Sequence, residues 1–167
     1  FVAAGDLTET PYLVTEWIEG ETLESLVKSA PIDAAQVARI GASLADAAAS
    51  LHRQGVIHLD IKAGNALMRA DGTVVLIDYG LSHHERLPDL LAEEMRKAVG
   101  TAEYISPEQV LGVRNDPRSD VFAIGVVMYE LATGKLPFGA PESVSGLRDR
   151  LWLDPKPPRA IVEAVPE

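Results

Sequence analysis

The chain has 167 residues, of which 47% are hydrophobic and 24% charged, a composition typical of a globular domain with one sizeable core. Its formal net charge of −10 argues against nucleic acid as a partner, because affinity for a phosphate backbone comes mainly from clustered Lys and Arg. The absence of cysteine excludes disulfides, thiolate metal sites and a cysteine nucleophile.

The two ends of the sequence predict a piece of a longer protein. The chain begins with Phe1 instead of Met, and no basic segment or apolar signal core follows. Its most apolar stretch, Val121 to Tyr129, is far shorter than the roughly 18 residues that suggest a membrane span. We therefore expect no membrane span in this segment and a cytoplasmic location, although a chain without cysteine also fits other compartments.

The first 55 residues predict a strand and two helices. Tyr12 to Trp17 is rich in β-formers, which predicts a strand that leads into a tight connection. A short helix is expected from Thr22 to about Lys28. Apolar residues at helical spacing then predict the longest helix, from about Ala34 to Gln54, with Asp33 as N-cap and Gly55 just beyond its end.

A small hairpin is predicted in the middle of the chain. The apolar runs 66–68 and 74–77 flank Asp71-Gly72, a strong turn signal. Polar loops lie on both sides of this hairpin, with His58 to Asn65 before it and Asp78-Tyr79-Gly80 directly after it. The residues most suited to chemistry therefore flank the hairpin.

The segment after the hairpin is long and polar. Residues 81–99 are typical of a lid or binding loop, and Leu90 to Lys97 within it is a candidate helix. Ser106-Pro107-Glu108-Gln109 has the pattern of a capping box, which predicts the start of a short helix.

Three further segments complete the predicted fold. Ser119 is expected to cap a buried helix from Asp120 to Ala132, and Val144 to Trp152 is expected to form an amphipathic helix. From Asp154 onward the repeated prolines predict an extended end. The predicted fold class is mainly α with small β-hairpins.

Short blocks of residues along nearly the whole chain resemble one enzyme family. The blocks, in chain order, are Glu16-Trp17-Ile18, His58 to Asn65, Asp78-Tyr79-Gly80, Gly100 to Glu108, Ser119 to Gly125 and Thr133 to Phe138. In this order they resemble the C-terminal lobe of a eukaryotic-like bacterial Ser/Thr protein kinase. The resemblance implies that residues 1–18 are the end of the N-terminal lobe and the hinge. Residues 19–167 would then be the C-terminal lobe, truncated after the region that the family calls αG.

The resemblance assigns catalytic and metal-binding roles to five residues. Asp60 would accept the proton of the substrate hydroxyl as the γ-phosphoryl group leaves ATP. Lys62 would place a cation near that phosphate and indicates a Ser/Thr-specific enzyme, and Thr101 would bridge Asp60 and Lys62. Asn65 and Asp78 would hold Mg²⁺. Each has an ordinary alternative as a capping, solvated or turn residue.

The nucleotide site is expected at the hinge. The backbone of Glu16 to Ile18 would form the edge that hydrogen-bonds adenine, and Leu67 and Ile77 would form part of the floor beneath it. Core packing alone would equally explain both apolar side chains. The implied ligands are ATP and Mg²⁺, and the implied partners are a protein substrate and the N-terminal lobe of the same chain.

Other polar residues are expected to support the site. Asp120 would accept hydrogen bonds from the catalytic-loop backbone, and Glu108 would pair with an arginine beyond the end of this chain. His58 would pack beneath Tyr79 without transferring protons. His83-His84 is expected to be solvated, with a metal-binding pair as the less favoured alternative.

Two departures from the family pattern affect regulation and activity. Leu59 replaces the arginine that commonly clamps a phosphorylated activation loop, so control by loop phosphorylation is not expected. Ser82 is the only hydroxyl-bearing side chain in residues 81–100, and Glu93 and Glu94 are candidates for a fixed negative charge there. The glycine-rich loop, strand lysine and helix glutamate of the family would all precede Phe1, so we expect the fragment alone to be largely inactive.

Two other functions stay open at this point. A non-catalytic kinase-like module that binds partners would need none of Asp60, Asn65 and Asp78. A small-molecule phosphotransferase would use them but would not need Gly100 to Glu108, the peptide-docking segment of protein kinases. Residues 87–94 and 116–120 further resemble bacterial kinases fused to a universal stress domain.

Overall fold

The computed structural model describes residues 3–7, 10–89, 91, 101–141 and 144–166. The helices in these residues are α1 (Leu23–Val27), α2 (Ala34–His52), α3 (Pro107–Val110), α4 (Arg118–Thr133) and α5 (Val144–Arg148). The strands are β1 (Ala3–Leu7), β2 (Thr10–Val14), β3 (Glu21–Thr22), β4 (Val56–Ile57), β5 (Ala66–Met68), β6 (Val74–Leu76) and β7 (His83–His84). The predicted class, mainly α with small β-hairpins, agrees with this architecture.

The core lies where α2 packs against α4 and against strand β6. Its largest fully buried apolar side chains include Ile40 and Leu44 of α2 and Val127 and Leu131 of α4. Burial of such side chains contributes about 1.5–3 kcal/mol each, and this packing makes α2 and α4 the rigid base of the domain. The polar loops lie at one end of that base.

The ends of α2 match the predicted capping pattern closely. The Asp33 side chain accepts a hydrogen bond from the Gln36 backbone N–H at 3.1 Å, which satisfies one free donor of the first turn. The helix ends at His52, two residues before the predicted end, because Gln54 and Gly55 form tighter i to i−3 bonds. Gly55 has φ +74°, the left-handed conformation that the prediction required.

The prediction for the start of α4 is wrong. The helix begins at Arg118, one residue before the expected cap, and Ser119 lies buried inside its first turn. Pro117 is the N-cap residue, and the Asp116 side chain before it accepts the Arg118 N–H at 2.9 Å. The Ser119 hydroxyl is instead within 2.9 Å of the Ser106 hydroxyl, so the two elements are tied together there.

Three small antiparallel sheets surround the helices. Strand β1 pairs with β2, β3 pairs with β5 and β5 with β6, and β4 pairs with β7. The predicted hairpin is the β5–β6 pair, and the predicted strand at 12–17 ends at Val14. The pairing of β4 with β7 corrects the expectation that His83 and His84 are solvated, because both are half-buried in that sheet.

The last segment is more compact than predicted. The helix expected up to Trp152 ends at Arg148 and continues as a 3₁₀ turn over Asp149–Leu151. A second 3₁₀ turn, Pro158–Ala160, interrupts the predicted extended end. The predicted helix at 90–97 and both glutamates in it lie outside the described residues. Among the helices that are described, none is long and apolar enough to span a membrane.

Candidate active site

The loop from His58 to Asn65 is fixed from below by one buried carboxylate. Asp120, in the first turn of α4, is fully buried and accepts the backbone N–H groups of His58 at 2.9 Å and Leu59 at 2.8 Å. His52 Nε2 lies 2.8 Å from the same carboxylate. The expected support by Asp120 is therefore present, and three polar contacts offset the cost of burying it.

Leu59 occupies an unusual backbone position in this loop. Its φ is +63°, a left-handed conformation that costs a non-glycine residue roughly 1–2 kcal/mol. Besides the bond to Asp120, its carbonyl accepts from Gln109 Nε2 at 2.9 Å, so both peptide groups are held. The side chain is only 3% exposed, and no charge is available there to clamp a phosphate. That loop phosphorylation does not control this site stays a prediction.

Asp60, Lys62 and Thr101 form a connected cluster at the mouth of the loop. Lys62 Nζ donates to Asp60 Oδ2 at 2.9 Å and to Thr101 Oγ1 at 2.7 Å. The Thr101 hydroxyl and backbone N–H donate to Asp60 Oδ1 at 3.1 and 3.2 Å. The expected Thr101 bridge is present. The Asp60 side chain is 9% exposed and that of Lys62 27%, so the pair is shielded but open on one side.

Asn65 braces the same carboxylate from the opposite end of the loop. Its Nδ2 donates to the Asp60 backbone carbonyl at 3.0 Å and to Asp60 Oδ2 at 2.9 Å. Because the amide nitrogen makes both bonds, the amide oxygen remains as the atom that suits a hard cation. The Asn65 carbonyl also accepts from the Ile77 N–H at 3.0 Å, which joins this loop to the residue before Asp78.

Asp78 lies just beyond β6 and is exposed. Its φ is +63°, and its Oδ1 accepts from the Gly80 N–H at 3.3 Å. It makes no hydrogen bond to Asp60, Lys62, Asn65 or Thr101 among the bonds of the described residues. These residues also contain no group of three or more His, Asp or Glu that could hold a metal alone. An ion held by Asn65 and Asp78 would therefore need further oxygen ligands, which phosphate groups supply.

His58 packs beneath Tyr79, as expected. The two ring centroids are 5.0 Å apart, and His58 Nε2 lies 3.2 Å from the Ile77 carbonyl oxygen. Burial lowers the pKa of His58 below its ordinary value of 6.5, although Asp120 and the Ile77 carbonyl act in the opposite direction. A histidine held neutral here is a structural link between the two polar loops.

This lowered pKa predicts a pH dependence of stability. In the unfolded chain His58 takes up a proton as the pH falls through 6.5, whereas the folded form resists protonation until a lower pH. The free energy of unfolding should therefore decrease between pH 7.5 and 5.5, with a slope of up to about 1.4 kcal/mol per pH unit from this residue. Urea midpoints of the full-length protein and of His58→Gln test this. An equal decrease in both proteins would contradict it.

The predicted nucleotide residues lie after β2 and along the β5–β6 hairpin. Glu16 and Ile18 belong to an irregular segment after β2, and Glu16 is paired loosely with Arg69 at 3.4 Å. Leu67 and Ile77 are half-buried, whereas their neighbours Ala66 and Leu76 point into the core. Strand alternation therefore gives Leu67 and Ile77 a partly open face, as a floor for a flat ring would require.

The pairing of Glu108 with an arginine stays a prediction. The Glu108 Oε2 is buried and has no hydrogen-bond partner among the described residues. The capping box beside it is present, since Ser106 and Gln109 exchange side-chain and backbone bonds at 3.0 and 3.2 Å. Helix α3 is therefore capped at its start, and the Glu108 Oε2 in it has no hydrogen-bond donor among the described residues.

Sequence reasoning missed three supporting residues. His52 contacts Asp120, Gln109 holds the Leu59 carbonyl, and Arg150 donates to the carbonyls of Glu103 and Ile105. Each contact joins residues 45 or more positions apart, so no local pattern indicates it.

The sequence profile of the protein kinase domain matches residues 4–152 of this chain. The match covers every residue of the cluster around Asp60. The chain belongs to the protein kinase family. The resemblance inferred from the short blocks is confirmed.

Bacterial Ser/Thr kinases are similar to this kinase domain over most of its length. Serine/threonine-protein kinase PknL of Mycobacterium tuberculosis is 38% identical over 157 residues, which is 93% of this chain and 39% of PknL. Probable serine/threonine-protein kinase PknB of Bifidobacterium longum is 34% identical, over 98% of this chain and 24% of its own. The PknB of Mycobacterium leprae is 37% identical, with shares of 93% and 25%. The chain thus spans about two fifths or less of these curated relatives.

Proposed function

We propose that the full-length protein is a Ser/Thr protein kinase that transfers the ATP γ-phosphoryl group to a protein hydroxyl. The observation that carries this proposal is the connected set of Asp60, Lys62, Thr101 and Asn65, in which the Asp60 carboxylate accepts four hydrogen bonds from the other three residues. Such preorganisation suits a group that must orient a hydroxyl and take up its proton. In this proposal residues 1–18 end the N-terminal lobe, and 19–167 belong to the C-terminal lobe.

The proposed reaction is a single displacement. The substrate hydroxyl gives its proton to the Asp60 carboxylate as its oxygen bonds to the γ-phosphorus, and the bond from that phosphorus to the bridging oxygen of ADP breaks. Lys62, held on Asp60 and Thr101, keeps a positive charge beside the developing negative charge. Asn65 and Asp78 would hold Mg²⁺, which when bound neutralises charge on the phosphates. Leu67 and Ile77 would support the adenine ring.

The activity is proposed for the whole protein, in the cytoplasm, with a protein as the acceptor. Because this chain spans two fifths or less of its relatives, the lobe that would cover the phosphates is proposed to come from the same protein. The fragment alone is proposed to transfer phosphate poorly. The intact cluster at Asp60 weighs against a module that only binds partners.

Labelled ATP offered with mixed acceptors tests the proposal. Full-length protein would be incubated with Mg²⁺, [γ-³²P]ATP, a degenerate Ser/Thr peptide library and a pool of small hydroxyl compounds. We expect label on phosphoserine or phosphothreonine of the peptides or of the protein itself. Label confined to small molecules would establish a small-molecule phosphotransferase instead, and no transfer to any acceptor would favour a binding module.

Two substitutions of Thr101 separate the effect of its hydroxyl group from the effect of its side-chain shape. Thr101→Val removes the donor to Asp60 and the acceptor for Lys62, and hydrogen bonds to charged groups are worth about 1.5–3 kcal/mol. We expect kcat of the full-length protein to fall by roughly 10- to 100-fold. Thr101→Ser keeps the hydroxyl and should stay within about threefold of wild type. Equal kcat values for the Val and Ser variants would show that the bridge does not contribute.

A further inference from the structure

Arg150 carries a charged side chain into the interior of the domain. It lies in the 3₁₀ turn after α5 and is only 5% exposed. None of the carboxylates in the described residues forms a salt bridge with it. Burial lowers the pKa of its guanidinium, and the nearby Glu103 opposes that shift only in part. Burying a cation without a paired carboxylate costs free energy, so other contacts must offset that cost.

The guanidinium group binds two backbone carbonyls of one short segment. Nη1 donates to the Ile105 oxygen at 2.7 Å, and Nη2 donates to the Glu103 oxygen at 3.1 Å. The planar fork of arginine matches two acceptors placed in this way, whereas the single ammonium of lysine does not. Arg150 therefore fixes the backbone of residues 103–105 at two points.

The guanidinium also contacts an aromatic pair that reaches α4. Its Cζ lies 5.7 Å from the ring centroid of Phe138, a cation–π contact. Phe138 in turn stacks on Phe122 of α4, with centroids 6.0 Å apart and an interplanar angle of 15°. Arg150 thus joins residues 103–105 to the helix that also carries Asp120.

Stability alone does not account for this arrangement. The buried Nε has no hydrogen-bond partner among the described residues, which adds to the cost of removing the cation from water. An apolar side chain of similar volume would typically serve a core at least as well. What the guanidinium supplies instead is a fixed position for two carbonyls.

Residues 103–105 stand beside the reacting group. They follow Thr101, whose hydroxyl is 3.1 Å from the Asp60 carboxylate, and they precede the capping box at Ser106. The Tyr104 hydroxyl donates to Glu130 Oε2 at 2.5 Å, so this segment is also held from α4 through a side chain. A displacement of its backbone would alter the wall next to an acceptor and leave Leu67 and Ile77 in place.

We propose that Arg150 is a positioning residue for the acceptor, which holds the Glu103 and Ile105 carbonyls so that a peptide is bound with its hydroxyl at Asp60. The inference rests on the proposed kinase function. It predicts a selective effect on the peptide, because the nucleotide side of the site has no contact with Arg150 among its hydrogen bonds.

The test compares two substitutions with a matched control in the full-length protein. Arg150→Met keeps most of the apolar stem, and Arg150→Lys keeps the charge without the fork. Arg148→Met alters an exposed arginine two residues earlier, at the end of α5. The probe is a synthetic peptide selected on the wild type from a degenerate Ser/Thr library. We expect both Arg150 variants to raise the peptide KM by about tenfold or more, since each loses charge-assisted bonds.

The same experiment requires that other properties stay unchanged. The KM for ATP and the rate of ATP hydrolysis without peptide should remain within about twofold of wild type, and Arg148→Met should match wild type throughout. An unchanged peptide KM in both variants would overturn the inference. The inference would also be overturned if the Arg150 variants lost peptide binding, ATP hydrolysis and thermal stability together. Such a joint loss would indicate a purely structural role.

Two further outcomes are also decisive. If Arg150→Met does not fold, Arg150→Lys decides by the same criterion. If the wild type phosphorylates no peptide in an Asp60-dependent manner, the proposed function fails separately. Fluorescence anisotropy of the labelled peptide library then gives dissociation constants, and equal values for wild type and Arg150→Lys would overturn the inference on Arg150 as well.

Discussion

Replacing Asp60 with asparagine in the full-length protein is expected to lower kcat by roughly 100- to 10,000-fold, the range that general-base catalysis contributes. The amide keeps the shape of the carboxylate and an oxygen for the Thr101 hydroxyl, but it cannot take up a proton or carry the charge that holds Lys62. The KM values for ATP and peptide should stay within about twofold. Steady-state kinetics with labelled ATP measure all three constants.

The matched control is Asp46→Asn, which alters an exposed aspartate on α2. This control variant should leave every kinetic constant unchanged. An effect of Asp60→Asn would then be specific to Asp60 and not a general result of removing one negative charge. A kcat for Asp60→Asn within threefold of wild type would remove Asp60 from the chemistry. A large rise in the KM for ATP with kcat unchanged would assign it to binding instead.

Replacing Asp120 with alanine is expected to cause the largest loss of stability. The change leaves the backbone N–H groups of His58 and Leu59 without an acceptor in a fully buried place, and it removes the contact of His52. Removal of one member of such a buried charged network typically costs about 3–5 kcal/mol. The strained φ of Leu59 also loses a bond that holds it, so the loop from His58 to Asn65 should open first.

Urea denaturation of the full-length protein measures the change in stability, and hydrogen exchange in residues 56–62 locates it. Asp46→Ala is the control, with an expected change within about 0.5 kcal/mol, as for exposed positions generally. A loss of less than 1 kcal/mol for Asp120→Ala would contradict the role given to this carboxylate. Unchanged exchange in the loop would contradict it as well.

Local chemistry explains which parts of the fold could be predicted. The N-cap Asp33, the left-handed Gly55 and the capping box at Ser106 depend on residues within a few positions of each other, and all three are present. Ser119 misled the prediction because Asp116 competes for the same capping function three residues earlier. Strand β7 was missed because its partner residues in Val56–Ile57 are 26 and 28 positions away, and nothing in His83-His84 alone indicates pairing.

The candidate site also contains a part that local sequence patterns predict and a part that they do not. Asp60, Lys62 and Asn65 occur within six residues, so their motif could be recognised in the sequence. Thr101 was identified from the family resemblance. The residues that hold this motif in place could be predicted only in part. Gln109, His52 and Arg150 bind partners that are 45 to 68 positions away in the sequence. Such contacts depend on how α3, α4 and α5 pack, which no local pattern encodes. The cluster around Asp60 was therefore more predictable than the distant residues that hold it in place.

A single-turnover measurement separates the role of Asp60 in phosphoryl transfer from any effect on ATP binding. Full-length protein saturated with [γ-³²P]ATP and Mg²⁺ would be mixed rapidly with saturating peptide, and the rate of phosphoserine or phosphothreonine formation would be followed for wild type and Asp60→Asn. We expect the rate of this step to fall at least roughly 100-fold while the dissociation constant of ATP stays within about twofold. Equal rates for the two proteins, or a loss explained entirely by weaker ATP binding, would show that Asp60 does not accept the proton.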